Sequence, residues 1–211
     1  MFVGRALYGW GTREFKPEDA KTEDARSEFV EDACKKSRPG PGECPILELH
    51  SRWHEIRKSD RRAYNPARSA FWRVIRLLSE TRNASKEIQA PWHSTIHWTN
   101  LYKVNPASTG NPGAVLRLAQ QQACIGMLKC EIDIKKPDAV VFLTGWGWAR
   151  PFLTDMKIVN STDNSGAILE AHGRLISDSC AIPFVVVPHP QGKRGQAILS
   201  AVLDGIGLVC A

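Results

Sequence analysis

Four short apolar segments, each bounded by turn-forming residues, constrain the fold of this chain more than any other feature of its sequence. Such segments are typical of strands buried on both faces of a parallel sheet. The stretches between them place apolar residues at helical spacing and are long enough to cross back over a sheet. The sequence therefore predicts an α/β fold. The predicted strands span residues 1–6, 95–102, 139–145 and 183–190.

Three segments predict helices that cover this sheet, over residues 69–80, 111–134 and 193–209. Strands that alternate with helices are typical of a layered arrangement around a parallel sheet. We therefore expect a three-layer α/β sandwich with a central, mostly parallel four-stranded sheet. A chain of 211 residues suits one full core, so we expect a single domain over residues 1–211.

Three further segments give weaker patterns. Residues 13–50 read as a helix of modest quality followed by an irregular loop. Residues 155–180 read as a polar excursion that contains a short hairpin. The Gly-Trp-Gly-Trp run at residues 145–148 indicates a tight turn over the sheet, with its tryptophans packed on the protein.

The ends of the four predicted strands form a candidate site. Ligands of parallel α/β folds bind at the carboxyl ends of the strands. Here those ends begin at Gly4, Asn100, Thr144 and His189, and all four are rich in glycine, aromatic or hydrogen-bonding residues. His189 lies between two prolines at the start of a basic loop, which favours a role in the site. The alternative is a strand that stops at proline and continues into a surface turn.

The positive charge is concentrated in one segment. Residues 51–90 hold ten Lys and Arg residues against four acids, which accounts for the whole net charge of +6. Aromatic residues lie between these cations, including Tyr64 and Trp72. Interleaved cations and aromatics suit phosphate contact and base stacking in nucleic-acid binding. The alternative is a solvated helix face that is packed by its aromatics.

The sequence also limits the compartment and the metal chemistry that we expect. No apolar run is long enough to span a bilayer, and the first residues lack the layout of a secretory signal. The six cysteines form no CxxC pair and no zinc-like spacing, although Cys124 and Cys130 fall on one predicted helix. We expect an intracellular, cytoplasmic protein with free thiols and no membrane partner.

The four strand ends, in their chain order, resemble those of the uracil-DNA glycosylase superfamily. The runs WTNLYKVNPASTGNP and EIDIKKPDAVVFLTG, with Cys124 on the helix between them, resemble the iron–sulfur uracil-DNA glycosylases. The run HPQG at His189 is similar to the superfamily's His-Pro-Ser motif. YNPARSAFWRVI is similar to a segment of the mismatch-specific uracil glycosylases, in which an aromatic precedes a tryptophan by eight residues, as Tyr64 precedes Trp72.

The resemblance implies roles for particular residues in removing a base from DNA. His189 would donate an N–H to the base oxygen on which charge develops. Asn100 would read the edge of the base, and Tyr64 would stack on the base after it is extruded. The implied contact residues are Gly4, Arg5, Ala6, Tyr8, Tyr64 and Asn100 for the base, and Arg61, Arg62, Gly192, Lys193 and Arg194 for DNA.

The first strand end departs from the family pattern. Many members carry Asp or Asn at the place of Ala6, where it positions the attacking water, and the iron–sulfur group carries Glu at the place of Arg5. Tyr8 aligns with the tyrosine that excludes the thymine methyl group in the most uracil-selective branch. Apart from Cys124 the cysteines that would hold the iron–sulfur cluster are missing, so we expect no cofactor and no metal.

These patterns predict a monofunctional DNA glycosylase that hydrolyses the N-glycosidic bond of uracil or another deaminated base. We expect DNA as its partner and a monomer as its form. One alternative is a catalytically altered relative that binds nucleic acid through the same groove. Another is an unrelated small-molecule hydrolase on a flavodoxin-like sheet, although a small substrate would not need the basic aromatic segment.

Overall fold

A computed structural model describes residues 1–6, 22, 24–25, 66–105, 111–163, 167–176 and 181–210. Within this part of the chain the predicted α/β class is confirmed. The strands are β1 (Phe2–Ala6), β2 (Trp98–Tyr102), β3 (Val140–Leu143), β4 (Ile158–Asp163), β5 (Ala171–Ile176) and β6 (Ala181–Val187). The α-helices are α1 (Ala70–Ser85), α2 (Ala114–Lys135), α3 (Trp146–Asp155) and α4 (Gly195–Cys210).

The sheet has six strands in the order β2-β1-β3-β6-β5-β4, so the expected number of four is wrong. The four predicted strands are present and run parallel, with β1 paired to β2 and β3, and β3 paired to β6. The hairpin expected within residues 155–180 forms β4 and β5, which extend the sheet antiparallel beyond β6. They join the sheet because β5 alternates buried and half-buried residues, which gives it one face that packs on the core.

Helices cover both faces of the sheet. On one face, α2 and α3 pack through a buried cluster that includes Leu128 and Phe152. On the other face, α1 and α4 pack through a second cluster that includes Ile75 and Ile198. Trp72 belongs to this second cluster and is therefore a core aromatic. The carboxyl ends of the four parallel strands lie between these two layers of helices.

Two strand boundaries differ from the prediction for local reasons. β2 begins at Trp98 and not at residue 95, because residues 92–95 form a 3₁₀ turn. β6 ends at Val187, so Pro188 and His189 lie beyond the strand. Proline has no N–H to donate to the neighbouring strand, which stops the ladder at this point.

A helix replaces the tight turn that was expected at residues 145–148. Trp146 begins α3, and β3 ends at Leu143, two residues before the predicted boundary. Gly145 connects the strand to the helix with a φ of +82°, a conformation that favours glycine. The expectation of a turn is therefore wrong, and the loop after β3 consists of Thr144 and Gly145 alone.

Gln120 of α2 fixes the chain where it leaves β2. Its side chain is fully buried, and its Oε1 accepts hydrogen bonds from the backbone N–H groups of Lys103 at 3.0 Å and Val104 at 2.9 Å. Its Nε2 donates to the Val104 carbonyl at 2.8 Å. Three buried backbone groups beyond the end of the strand therefore depend on one amide.

Replacing Gln120 with Leu should destabilise the fold, because the three backbone groups lose their partner in a buried place. We expect the free energy of unfolding to fall by at least about 2 kcal/mol. Urea unfolding of Gln120→Leu measures this loss. Gln121→Leu, on the next, half-buried position of the same helix, is the control and should change stability by less than about 0.5 kcal/mol. Equal losses in the two variants would contradict the anchoring role.

Candidate functional site at the carboxyl edge of the sheet

The candidate site begins where β1 and β2 pair. Gly4 lies directly opposite Asn100 in this parallel pair. A Cβ atom on Gly4 would lie 2.3 Å from Asn100 Oδ1 and 3.2 Å from Phe71 Cζ. Because atoms that are not bonded do not approach as closely as 2.3 Å, the Asn100 amide can lie here only beside a glycine.

Asn100 brings a buried amide to this edge. The residue is 5% exposed, and no described residue forms a hydrogen bond with its side chain. Its amide atoms are not among the described buried side-chain atoms that lack a hydrogen-bond partner, so they stay open to solvent at this edge. The amide has one acceptor and two donor hydrogens to offer to a ligand.

Phe71 forms a wall of the same site. Its ring lies against Gly4 and stacks with the His189 imidazole, with the ring centres 6.1 Å apart and the planes inclined by 15°. Phe71 lies in the first turn of α1 and is half-buried, whereas Ile75 and Leu78 on the same stripe are buried. The apolar stripe of α1 thus continues past the core to the edge where the strands end.

His189 is held beyond the end of β6 by its two prolines and by its own loop. Its Nδ1 accepts a hydrogen bond from the backbone N–H of Gln191 at 3.3 Å. Burial, and then the positive charge of Arg5, hold the pKa of His189 below its ordinary value. The ring is therefore neutral at pH 7 with its proton on Nε2, which makes Nε2–H a hydrogen-bond donor.

Arg5 occupies the end of β1 beside a cavity. Its Nε donates to the Thr144 carbonyl at 2.7 Å, and its guanidinium carbon lies 5.3 Å from the centre of the Trp148 ring. Burial lowers the pKa of Arg5 while the charge of Glu170 opposes that effect, and guanidinium remains charged at any ordinary pH. The cavity measures about 260 Å³ and is lined by Arg5, Thr144, Gly145, Trp146, Gly147, Trp148 and Glu170.

The loop after His189 is a short, exposed turn. Gly192 has a φ of +74°, and the backbone N–H of Lys193 donates to the Pro190 carbonyl at 3.0 Å. The side chains of Lys193 and Arg194 are exposed, and α4 follows at Gly195. Two cations are thus presented to solvent within five residues of the imidazole.

The structure brings together part of the residue set that the sequence predicts. Gly4, Asn100, Arg5 and His189 share one edge of the sheet, with Lys193 and Arg194 next to His189. Ala6 pairs with Tyr102 in β2 and packs, half-buried, against the cluster of α2 and α3. The predicted residues Tyr8, Arg61, Arg62 and Tyr64 lie outside the described residues.

Sequence reasoning missed two residues at this edge. The sequence pattern places Phe71 among the aromatics of the basic segment and on the apolar face of its helix, but not at the strand ends. Its position one turn before Ile75, at the helix end, could have indicated an edge residue. Glu170 lies in the segment 155–180, whose polar pattern carries no motif. Its place in the cavity depends on how β5 pairs with β6, and no local signal reports that pairing.

The described part of the chain contains neither a metal-ligand cluster nor a membrane-spanning helix. No group of three or more His, Cys, Asp or Glu side chains there is placed to hold a metal ion. No helix among those residues is long and apolar enough to cross a membrane. Cys124 and Cys130 lie on α2 as predicted, the first buried and the second exposed.

Comparison with known proteins adds no relative of this chain. No protein-family model, no curated protein and no solved structure matches it.

The protonation state of His189 can be checked directly. We expect ¹⁵N NMR to show a neutral ring with the proton on Nε2 at pH 7, and a pKa below the ordinary value of about 6.5. Arg5→Met should raise that pKa, because it removes the nearby positive charge that disfavours the imidazolium. A proton on Nδ1, or a pKa unmoved by Arg5→Met, would contradict the assigned environment.

Proposed function

We propose that this protein is a monofunctional DNA glycosylase that removes uracil or another deaminated base from DNA. The observation that carries the proposal is the juxtaposition at one sheet edge of the buried Asn100 amide, the Phe71 ring and the neutral His189 imidazole. Because Gly4 has no side chain, the Asn100 amide has room to lie against β1 in this arrangement. The likeness of the strand-end motifs to the uracil-DNA glycosylase superfamily supports the same reaction.

Asn100 would read the edge of the extruded base. A uracil edge presents an N3–H donor beside an O4 acceptor, and an amide side chain complements both. The Asn100 side chain forms no hydrogen bond with a described residue, so its donor and acceptor groups are available to a base. Phe71 would supply an apolar face for the base, a contact worth about 1–3 kcal/mol in stacking. Tyr64 remains a proposed second stacking residue.

His189 would stabilise the base as it leaves. When the N-glycosidic bond breaks, its electron pair moves into the base, and negative charge collects on the base oxygens. The Nε2–H of a neutral, fixed imidazole can donate to such an oxygen, and the positive charge of Arg5 favours the same charge build-up. Because the fold holds both groups, neither would need to reorganise during the reaction.

Exposed cations near the site would hold the DNA backbone. Lys193 and Arg194 follow His189, while Arg68 and Arg73 are exposed at the start of α1 close to Phe71. Their charges suit contacts with phosphate groups on both sides of an extruded nucleotide. The proposed contacts of Arg61 and Arg62 would extend this basic surface.

A second candidate function is nucleic-acid binding without base excision. The absence of a carboxylate or amide at Arg5 and Ala6 of β1 favours it, since many superfamily members hold the attacking water at this place. Incubation with oligonucleotides that carry uracil, hypoxanthine, xanthine or thymine opposite each normal base, followed by alkaline cleavage, distinguishes the two functions. Salt-dependent binding without cleavage of any strand would favour the second function and contradict the first.

Substitutions at His189 and in the loop after it should affect different properties on an active substrate, the cleavage rate in one case and the DNA affinity in the other. His189→Ala removes a donor that acts only as charge develops, so the single-turnover rate should fall by about 10²–10³-fold with little change in affinity. The double variant Lys193→Ala/Arg194→Ala keeps that donor, so its affinity should fall more than its rate at saturation. Single-turnover rates and dissociation constants of both variants measure the split. Cleavage by His189→Ala at the wild-type rate would contradict the mechanism.

Gly4→Ala should misplace Asn100. The added Cβ would lie 2.3 Å from Asn100 Oδ1, so the amide must move and the base edge loses its aligned partners. A displacement of about 1 Å can cost roughly 10²-fold in rate. Gly126→Ala is the matched control, because its Cβ would meet nothing within 4 Å and it lies within α2. Single-turnover cleavage compares the variants, and equal rates would remove the Gly4–Asn100 pair from the site.

A further inference from the structure

Glu170 places a carboxylate beside the cavity at the site, although β1 carries none. The residue immediately precedes β5, and its backbone N–H donates to the Val186 carbonyl of β6 at 2.9 Å. This bond fixes the start of β5 against the strand that leads to His189. Glu170 and Arg5 line the same cavity, together with Thr144 and Gly145.

The Glu170 carboxylate is held in place but retains hydrogen-bonding capacity. Its Oε2 accepts from the backbone N–H of Trp146, the first residue of α3. No described residue donates to its other oxygen, Oε1. A carboxylate accepts several hydrogen bonds, so this group can also accept one from a water molecule.

The cavity beside Glu170 has room for water, and Arg5 lines it. Its volume of about 260 Å³ exceeds the roughly 30 Å³ that one water molecule occupies in the liquid. Measured from the position that a Cβ on Gly145 would take, Glu170 Oε2 lies at 3.6 Å, Arg5 Nη2 at 3.7 Å and Pro188 Cα at 4.0 Å. Pro188 directly precedes His189, so the backbone that leads to the imidazole passes the same end of the cavity as the carboxylate.

We propose that Glu170 holds and deprotonates the water that attacks the sugar, and this inference rests on the proposed glycosylase function. The water oxygen forms a bond to C1′ of the deoxyribose, and one water proton passes to the Glu170 carboxylate. The C1′–N bond breaks, and its electron pair leaves with the base, whose oxygen accepts from His189 Nε2–H. The products are an abasic deoxyribose with a C1′ hydroxyl and the free base, which takes up the proton from Glu170 by way of solvent.

The carboxylate would have a second effect on the same step. Positive charge develops on the sugar ring as the glycosidic bond lengthens. The Arg5 guanidinium opposes this charge, whereas a carboxylate in the same cavity favours it. Glu170 would therefore stabilise the sugar while Arg5 and His189 stabilise the base.

The competing interpretation is that Glu170 serves only as a cap for α3, through the N–H of Trp146. Glu170→Gln separates the two, because a glutamine oxygen can still accept from Trp146 but cannot take a proton at neutral pH. If Glu170 acts as the general base, the single-turnover rate of Glu170→Gln should fall by about 10²–10⁴-fold. With a capping role alone, that rate should stay within a factor of two of wild type.

Glu131→Gln is the matched control. Glu131 is likewise a half-buried carboxylate, but it lies on α2, pairs with Lys103 at 2.8 Å and does not line the cavity. Its variant should cleave at close to the wild-type rate. A second variant, Glu170→Ala, removes both the proposed general base and the cap on α3. Added formate should restore part of its rate by replacing the missing carboxylate. Formate should not restore His189→Ala.

The outcomes separate this inference from the function on which it rests. A wild-type rate for Glu170→Gln, or slow Gln and Ala variants with no gain from formate, overturns the role of Glu170 and leaves the glycosylase function standing. A wild-type protein that cleaves none of the tested bases overturns the proposed function, and the role of Glu170 falls with it. A slow Glu170→Gln, an active Glu131→Gln and rescue of Glu170→Ala by formate support the inference.

Discussion

The close pairing of β1 with β2 is the contact on which the candidate site depends. It places Gly4 opposite Asn100 and leaves no volume between them, so the amide rests against backbone where any other residue would carry a side chain. The same strand pairs with β3 on its other edge, which brings Arg5 within hydrogen-bond distance of the Thr144 carbonyl. Consecutive residues of one strand, Gly4 and Arg5, therefore adjoin the Asn100 amide and the charged cavity.

The charge of Arg5 interacts with both His189 and Glu170 at this edge. After burial, which is the larger cause, it lowers the pKa of His189 and so favours the neutral ring, and it interacts favourably with Glu170. An arginine in a hydrolytic site would by itself oppose a developing cation on a sugar. Its presence at the end of β1 is therefore physically consistent with the proposed reaction only because a carboxylate lines the same cavity.

The elements that could be predicted from the sequence are those whose pattern is local. Continuous apolar runs identified the four parallel strands, and helical spacing identified α1, α2 and α4, since both periodicities follow from burial. α3 was missed because its first turn is glycine-rich and its interior contains Pro151. His189, Asn100 and Gly4 could be placed at one edge because each follows an apolar run. Phe71 and Glu170 could not, because their positions depend on helix docking and on the antiparallel pairing of β5.

Glu170 lies at this edge of the sheet although it belongs to none of the four parallel strands. The carboxyl edge of a parallel sheet is a small region onto which several loops converge, so a side chain can reach it from any strand that is anchored nearby. β5 is anchored by its pairing with β6, the strand that leads to His189. A carboxylate supplied from β5 would therefore keep a fixed relation to the imidazole although β1 lacks one. The pairing of β5 with β6, more than the type of residue at position 6 of β1, would therefore decide whether this edge can hydrolyse a glycosidic bond.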